Sequence, residues 1–265
     1  MKKFLVIGNP IDHSLSPNLH NFWIKENNLN AEYQKKKLNE NELKNLVNDI
    51  KNDKIAGANV TTPFKSLIIP FIDELTEIAK KTNSVNTLYK KSGKIIGDNT
   101  DAIGFQKALE HINYSVLKKK ILLLGAGGVA PSIIFSLEKM GAGSISLSNR
   151  TRDNALRIKN YFPKINIINW GEMIEFDMII NLTSLGLLTD DKIDLNLNKD
   201  LSNKLFYDII YNPAKTNFLL SGKKNRAKVE NGKLMFMYQA QKAFEIWHNI
   251  KPTINKNSME TMPDD

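Results

Sequence analysis

Apolar residues in the first hundred positions alternate between short strand-like runs and wider helix-like spacing. Strands are predicted over residues 2–8 and at the sequences AEYQKKKL and KIAGANV. Polar and apolar residues alternate only weakly in AEYQKKKL, as in a strand at a sheet edge. A hairpin is predicted around Ser92 and Gly93, inside NTLYKKSGKIIGDN. This alternation of strands with helices is typical of a small α/β layer.

Helical segments are predicted between these strands. Ser16 followed by Pro17 indicates a helix start, with the serine as N-cap and the proline in the first turn. The sequence NENELKNLVNDIKN carries a helical apolar stripe, and further helical segments are predicted over 63–81, interrupted at Pro70. Lys65 then lies in the first turn of a helix, where a cation is electrostatically unfavourable. A role as solvated filler is therefore the weaker explanation of this lysine.

A second block begins after a helix predicted from Asp101. It opens with strand, glycine turn, helix and strand, and further apolar strands follow at INIINW, DMIINLT and KLFYDIIY. A closing helix is predicted at LMFMYQAQKAFEIWHN, because its apolar residues recur at helical spacing. The fold class is therefore α/β, in two blocks.

Composition argues against several kinds of function. The 265 residues are 42% hydrophobic and 25% charged, as in ordinary globular proteins, and no apolar run is long enough for a membrane helix. There is no cysteine, and the four histidines show no ligand spacing, so no metal site is expected. The apolar run over 4–7 is too short for a signal peptide, and we expect a cytoplasmic protein.

The net charge of +9 indicates a general attraction for anions. Basic runs at 35–37, 90–91, 118–120 and 223–224 are spread over the chain with little arginine or aromatic sequence between them. We interpret them as solvated faces and expect neither a nucleic-acid nor a membrane partner.

The sequence ILLLGAGGVA contains a dinucleotide-binding fingerprint. An apolar strand runs into Gly125-x-Gly127-x-x-Ala130, followed by a helix and a second strand. Gly125 permits the tight turn, Gly127 lets the backbone approach a pyrophosphate, and the small Ala130 allows close packing. The alternative is a strand-to-helix turn without a ligand, but the flanking strands favour a nucleotide.

The end of the second strand predicts which dinucleotide binds. A site for NAD normally places an acidic residue here, to bind the ribose 2′-hydroxyl. This chain instead has Asn149, Arg150 and Arg152, which include two of its four arginines. A guanidinium can bind a phosphate in two places and stack on adenine, so we expect NADP(H). The alternative is a solvated helix N-terminus.

Short polar side chains cluster in loops of the first block. Each alone is typical of a cap or a turn, but together they suit a polyol, with one cation and one carboxylate. Reduction of a ketone needs a proton donor beside the carbonyl while hydride arrives from a nicotinamide, and a lysine–aspartate pair can supply it without a metal. The residues of this cluster are Ser14, Ser16, Asn59, Thr61, Lys65, Asn86 and Asp101.

A series of motifs resembles the shikimate 5-dehydrogenase family, whose members reduce 3-dehydroshikimate to shikimate with NADPH in aromatic amino-acid biosynthesis. In the order of the family, they are GNPIDHSLSPNLHN, GANVTTPFK, NSVNTL, GDNTDAIGF, GAGGVAPSI, SNRTR, NLTSLG, DIIYNPAKT and QAQKAFEIW. They cover nearly all of residues 4–248. The resemblance implies an oxidoreductase that acts on a small molecule, as a monomer or homodimer.

The resemblance also implies a domain arrangement. A substrate-binding domain over 1–101 would be completed by the last helix, over 233–250, which returns to it. A Rossmann-type NADP-binding domain would occupy 102–232. Residues 251–265 have no apolar period and are expected to form a flexible tail.

Family roles are implied at the matching positions. Lys65 and Asp101 would form the catalytic pair, and Ser14 and Ser16 would hold the substrate carboxylate. The remaining substrate contacts would be Asn59, Thr61, Asn86, Tyr211 and Gln239. The cofactor NADP(H) would be bound by Gly125, Ala126, Gly127, Gly128, Val129, Ala130, Asn149, Arg150, Thr151, Arg152, Thr183 and Gly232.

The chain departs from the family pattern at three places. Asn83 and Ser84 replace a glycine–alanine pair, but asparagine tolerates a positive φ better than most residues. Leu234 and Tyr238 replace residues that are small in the family.

Several alternatives differ in the residues that they require. A short-chain dehydrogenase needs Tyr-x-x-x-Lys, a spacing that a lysine-rich chain matches by chance, and the glycine turn is too far from the N-terminus. A methylene-tetrahydrofolate dehydrogenase has a similar domain order, but the serine and threonine clusters argue against a pterin. A quinate dehydrogenase of the same family is the nearest alternative. A non-catalytic NADP sensor would not need both Lys65 and Asp101.

Overall fold

The computed structural model describes residues 1–188, 191, 193, 195 and 200–262, and these form two compact units. Unit 1 comprises Met1–Gly104 together with the described residues from Met237 onward, and unit 2 comprises Phe105–Phe236. The sequence placed the corresponding boundaries at 101/102 and 232/233. Each unit contains its own six-stranded sheet.

Strands and helices alternate along the described chain. The strands are β1 Lys2–Gly8, β2 Ala31–Lys37, β3 Gly57–Val60, β4 Glu74–Leu75, β5 Thr87–Lys91, β6 Lys94–Asp98, β7 Lys120–Leu124, β8 Ser144–Ser148, β9 Asn166–Ile168, β10 Met178–Asn181, β11 Leu205–Asp208 and β12 Lys228–Glu230. The α-helices are α1 Ser16–Glu26, α2 Leu43–Lys51, α3 Glu77–Thr82, α4 Asp101–His111, α5 Ala130–Lys139, α6 Arg152–Tyr161, α7 Asn217–Lys224, α8 Lys233–His248 and α9 Lys256–Met259. Short 3-10 helices lie at Glu40–Glu42 and Ile69–Phe71.

The sheet of unit 1 is mixed, in the order β2-β1-β3-β5-β6-β4. β1 pairs in parallel with β2 and β3, and β5 pairs antiparallel with β3 and β6. The predicted edge strand β2 and the predicted hairpin are confirmed, since Ser92 and Gly93 take φ values of 50° and 77° between β5 and β6. Apolar side chains of β1, α2 and β3 form one buried cluster against this sheet.

The sheet of unit 2 is entirely parallel, in the order β12-β11-β10-β7-β8-β9. Read from the other edge, this is the doubly wound strand order, in which the order of the strands reverses beside the first strand, here between β7 and β10. Strands with apolar residues on both faces, such as β7 and β10, are buried as such a sheet requires. The predicted Rossmann-type domain is confirmed.

The segment predicted as helical over 63–81 is different in the structure. Residues 62–68 form consecutive turns, followed by the 3-10 helix, the short strand β4 and only then α3. Pro70 lacks the N–H group that a continuous helix needs, and the residue before it is disfavoured in helical geometry. Lys65 therefore lies in a turn and not in the first turn of an α-helix.

The C-terminal segment packs on unit 1. Trp247 of α8 donates from Nε1 to the Leu88 carbonyl at 3.0 Å, so the last predicted helix does return to the first domain. The tail expected to be flexible instead contains α9 over part of 251–262, and Met262 is buried. Asn255 caps α9 through its side chain. The helix has only four residues, which is too short for a repeating apolar pattern in the sequence. Residues 263–265 lie outside the described residues.

An aromatic cluster holds α1, β2 and α8 together. The His20 ring stacks on Tyr33 with centroids 4.2 Å apart and planes 3° from parallel, and it also faces Trp23, Phe244 and Trp247. Neither ring nitrogen of His20 has a hydrogen-bond partner among the described residues. Burial, with a smaller effect from His248, lowers the pKa of His20 from 6.5 to about 3.

We expect His20 to make stability depend on pH. The pKa of His20 is lower in the folded state, so the unfolded state binds the proton more tightly. The free energy of unfolding is therefore highest above pH 6.5 and falls as pH falls towards 3. The free energy of unfolding of the wild type should therefore fall by about 2 kcal/mol more than that of His20→Phe between pH 7 and pH 5. Urea denaturation at both pH values measures this. His248 titrates in both proteins, so parallel pH curves would contradict the assignment.

Candidate active site

Lys65 and Asp101 form a mostly buried ion pair in unit 1. Lys65 Nζ lies 2.6 Å from Asp101 Oδ2, and the two side chains are 12% and 9% exposed. Asp101 is the first residue of α4, where a carboxylate is favoured by the unpaired N–H groups of the helix. The turn carrying Lys65 is fixed by Val85, which donates to the Lys65 carbonyl at 2.8 Å. The structure thus brings together the predicted catalytic pair.

Asn86 occupies the second oxygen of Asp101. Its Nδ2 donates to Asp101 Oδ1 at 2.9 Å and to Thr100 Oγ1 at 3.0 Å. Its Oδ1 accepts from the main-chain N–H of Thr100 at 2.7 Å. Both carboxylate oxygens of Asp101 are therefore held by named donors, which is how a buried charge is stabilised.

The amide of Asn59 is occupied by protein partners. Its Oδ1 accepts from the Tyr33 hydroxyl at 2.7 Å, while its Nδ2 donates to the Asn86 carbonyl at 3.0 Å and Thr87 Oγ1 at 3.1 Å. Contact of Asn59 with a substrate hydroxyl stays a prediction. Tyr33 and Thr87 were not among the predicted site residues, although Thr87 lies inside the motif NSVNTL.

The other predicted substrate residues lie at several places. Ser14 and Ser16 flank the start of α1, where the Ser16 N–H donates to Ser14 Oγ at 3.4 Å. Thr61 follows β3 and is half-buried, and Gln239 is a half-buried residue of α8 in unit 1. Tyr211 belongs to unit 2, where its ring lies 4.5 Å from that of Phe236.

The glycine turn of unit 2 lies at the switch point of the parallel sheet. Gly125 has a φ of +108°, and a Cβ there would lie 2.7 Å from the methyl group of Thr183, which follows β10. A Cβ at Gly127 would have only the Leu182 carbonyl nearby, at 3.8 Å, so this side of the turn is open. Backbone N–H groups at the start of α5 can thus be approached closely, and the turn fits a dinucleotide pyrophosphate. Ala126, Gly128, Val129 and Ala130 complete the turn.

The predicted 2′-phosphate segment follows β8 and is anchored to the glycine turn. Asn149 Oδ1 accepts from the Ala126 N–H at 2.9 Å, and its Nδ2 donates to the Thr151 carbonyl at 2.7 Å. Arg150 is exposed, and within the described chain it forms no ion pair. Arg152 Nη1 donates to Asn169 Oδ1 at 3.0 Å. An exposed guanidinium that forms no ion pair with another described residue fits an anionic group.

Two buried residues that the sequence analysis did not single out hold Thr183 in place. Asn181 Oδ1 accepts from the Thr183 N–H at 3.0 Å and hydroxyl at 2.7 Å, and its Nδ2 donates to Asp208 Oδ1 at 3.0 Å. Asp208 also accepts from the Ile210 N–H and the Thr216 hydroxyl. Burial raises the pKa of Asp208 to about 6, despite these donors. Asn181 and Asp208 are the first residues of the motifs NLTSLG and DIIYNPAKT, so the motifs could have pointed to both.

Gly232 closes the set of predicted cofactor residues. Its N–H donates to the Ile210 carbonyl at 3.0 Å, and a Cβ there would collide with the Ile209 carbonyl. Among the described residues, no group of three or more His, Cys, Asp or Glu could hold a metal ion. The helices within residues 1–188 and 200–262 are too short or too polar to cross a bilayer.

The folds of the two units define a class, the two-domain α/β proteins with a Rossmann-type nucleotide-binding unit. Comparison with known proteins narrows the class. The family model of the shikimate dehydrogenase substrate binding domain matches residues 6–88. A shikimate dehydrogenase (NADP(+)) of Pelagibacter ubique (strain HTCC1062) is 54% identical and covers 98% of each chain.

Solved structures agree. Shikimate dehydrogenase from Aquifex aeolicus has a TM-score of 0.88 and 37% identity, covering 98% of this chain and 96% of its own. Shikimate 5-dehydrogenase from Thermus thermophilus, in complex with NADP(H) and shikimate, has a TM-score of 0.86 and 29% identity, covering 98% and 97%. The chain belongs to the shikimate dehydrogenase family.

The packing at Gly125 predicts an unusually costly substitution. In Gly125→Ala the new methyl group would meet Thr183 and the main chain of Leu182, in addition to the cost of a positive φ. Gly171 has a φ of +80° with nothing within 4 Å of its Cβ position, so Gly171→Ala carries only the conformational cost. We expect Gly125→Ala to lower the free energy of unfolding by about 1–3 kcal/mol more than Gly171→Ala in urea titrations. Equal losses would mean that the contact with Thr183 is relaxed at no cost.

Proposed function

We propose that the chain catalyses the reversible, NADP-linked reduction of 3-dehydroshikimate to shikimate, in the biosynthesis of chorismate and aromatic amino acids. The observation that carries the proposal is the buried pair of Lys65 and Asp101, in a chain that matches named shikimate dehydrogenases over nearly its full length. A pair with both carboxylate oxygens already held has the organisation that proton transfer requires.

The proton chemistry falls to Lys65. In the reductive direction, its ammonium group donates a proton to the carbonyl oxygen of the substrate, and in the oxidative direction its amine takes the hydroxyl proton. Asp101 orients Nζ through Oδ2 and stabilises its positive charge. Because Asn86 holds Oδ1, the carboxylate cannot rotate freely away from the lysine.

The cofactor residues proposed for NADP(H) follow the carboxyl ends of parallel strands in unit 2. The turn from Gly125 to Ala130 would hold the pyrophosphate, with Thr183 and Gly232 completing the site. Asn149, Arg150, Thr151 and Arg152 would hold the adenosine end, the arginines meeting the 2′-phosphate. When bound, NADP(H) supplies or accepts the hydride.

The substrate residues carry complementary chemistry. Ser14 and Ser16 offer hydroxyl groups near the N-terminus of α1, which suits a carboxylate. Thr61, Asn59, Asn86, Tyr211 and Gln239 would contact the ring and its hydroxyl groups. We also propose a cytoplasmic monomer or homodimer without nucleic-acid or membrane partners.

The direct test is a spectrophotometric assay with NADP⁺ and either shikimate or quinate. Both reactions are followed by the absorbance of NADPH, and kcat/KM should be higher for shikimate than for quinate. A quinate dehydrogenase of the same family would show the opposite preference. Binding of both ligands without NADPH formation would indicate the non-catalytic sensor and overturn the proposal.

Lys65→Ala should lower kcat by about 10²–10⁴-fold, the range of general acid–base catalysis, with a far smaller change in KM for shikimate. Lys90 provides the control, because its Nζ also lies 2.6 Å from a carboxylate, that of Asp53, at an exposed site. Lys90→Ala should leave kcat unchanged. Near-normal turnover in folded Lys65→Ala would remove this residue from the mechanism.

Arg150→Ala should weaken NADPH binding by roughly tenfold or more, because it removes a charge-assisted contact to the 2′-phosphate. NADH lacks this phosphate, so its dissociation constant should change much less. Arg157→Ala removes an equal charge from an exposed position of α6 and should leave both constants unchanged. Equal weakening of NADPH and NADH by Arg150→Ala would refute the 2′-phosphate assignment. Fluorescence titration measures all four constants.

A further inference from the structure

A chain of hydrogen bonds connects the edge strand β2 with Asp101 across unit 1. The Tyr33 hydroxyl donates to Asn59 Oδ1 at 2.7 Å, and Asn59 Nδ2 donates to Thr87 Oγ1 at 3.1 Å. The Thr87 hydroxyl donates to Asn86 Oδ1 at 3.0 Å, and Asn86 Nδ2 donates to Asp101 Oδ1 at 2.9 Å. Thr87 Oγ1 also lies 3.3 Å from Thr100 Oγ1. Every link thus points from Tyr33 towards the carboxylate.

Main-chain groups fix the direction of this chain. The carbonyl of Asn86 can only accept, so the Asn59 atom that faces it at 3.0 Å is Nδ2, and Oδ1 is left to face Tyr33. The N–H of Thr100 can only donate, so the Asn86 atom that faces it at 2.7 Å is Oδ1, and Nδ2 is left to face Asp101. Neither amide can be turned over without losing a main-chain hydrogen bond.

The chain is buried along its whole length. Tyr33, Asn59, Asn86, Thr87 and Asp101 are each less than 9% exposed. In such surroundings hydrogen bonds are strong and polarise one another in series. The Tyr33 ring is itself held by stacking on His20. The first donor of the chain is therefore fixed in place, and the last acceptor is the carboxylate that holds Lys65.

We propose that Tyr33 and Thr87 are positioning residues for the Lys65–Asp101 pair. Their hydroxyl groups hold Asn59 and Asn86 in the orientation that keeps Asp101 aimed at Lys65 Nζ. This inference rests on the proposed function, since it concerns turnover through the same pair. It adds two residues whose hydroxyl groups act on the carboxylate and the lysine only through the two asparagines.

Tyr33→Phe tests the first link, because it removes one hydroxyl and keeps the ring on His20. We expect kcat with shikimate and NADP⁺ to fall about tenfold, with KM for both changing less than about threefold. Tyr114→Phe is the matched control, since it removes a hydroxyl that donates to the Asp177 carbonyl at 3.2 Å in unit 2. Its kcat should stay at the wild-type value. An unchanged kcat in Tyr33→Phe overturns the inference.

A double-mutant cycle separates positioning from general loss of structure. Asp101→Asn will turn over more slowly, and its rate is measured at higher enzyme concentration. In that background Tyr33→Phe should lower kcat by less than about twofold, because the chain acts through the carboxylate. A full tenfold loss in both backgrounds would show that Tyr33 acts elsewhere, and would also overturn the proposal.

Substitutions of Thr87 provide a second, independent test of the hydrogen-bond chain. Thr87→Val keeps the shape and removes the hydroxyl, whereas Thr87→Ser keeps the hydroxyl. We expect Thr87→Val to lose about as much kcat as Tyr33→Phe, and Thr87→Ser to recover most of it. Equal kcat in the two variants would contradict the chain even if Tyr33→Phe failed to fold. An inactive wild type, by contrast, would refute the proposed function and not this inference alone.

Discussion

Unit 1 is organised around two opposite charges that have been taken out of water. The ion pair between Lys65 and Asp101 is short and mostly buried, and desolvating such charges costs several kcal/mol unless hydrogen bonds compensate. The compensation comes from residues far apart in sequence, with Asn86 on the other carboxylate oxygen and the Thr100 N–H on Asn86. Two elements place these groups: Asn86 directly precedes β5, which pairs with β3, and Asp101 is the first residue of α4.

Unit 2 contains a related arrangement with a different electrostatic outcome. Asp208, like Asp101, accepts a hydrogen bond from an asparagine amide. Asp208 is the last residue of β11, and Asp101 is the first residue of α4. Among the described residues, however, Asp208 has no lysine or arginine partner, and burial raises its pKa to about 6. Asp101 thus holds a lysine, whereas Asp208 holds the loop of Thr183 through Asn181.

The parts of the fold that were predictable are those with local signals. The glycine turn, α5 and the parallel strands of unit 2 follow from runs of apolar residues and from Gly125, whose positive φ only glycine adopts readily. The turns over 62–68 were not predictable as such, since a proline such as Pro63 also favours the start of a helix. The residue types of the site were predictable, and so was the Lys65–Asp101 pair. Tyr33 was not, because one tyrosine in a polar edge strand carries no sign of the asparagine that it meets across β1.

The discontinuity of unit 1 has a consequence for synthesis on the ribosome. The closing part of α8 and the segment through Met262 emerge only after all of Phe105–Phe236 has been translated, on the order of ten seconds after the first segment. Unit 2 is contiguous and can fold as soon as it emerges, whereas the aromatic cluster around His20 waits for Phe244 and Trp247. The nascent chain thus presents Gly57 and the neighbouring sheet surface uncovered until Trp247 arrives. A chain that has emerged only as far as Phe236 has all the described residues of unit 2 but only part of unit 1, and its exposed apolar surface is a target for chaperones.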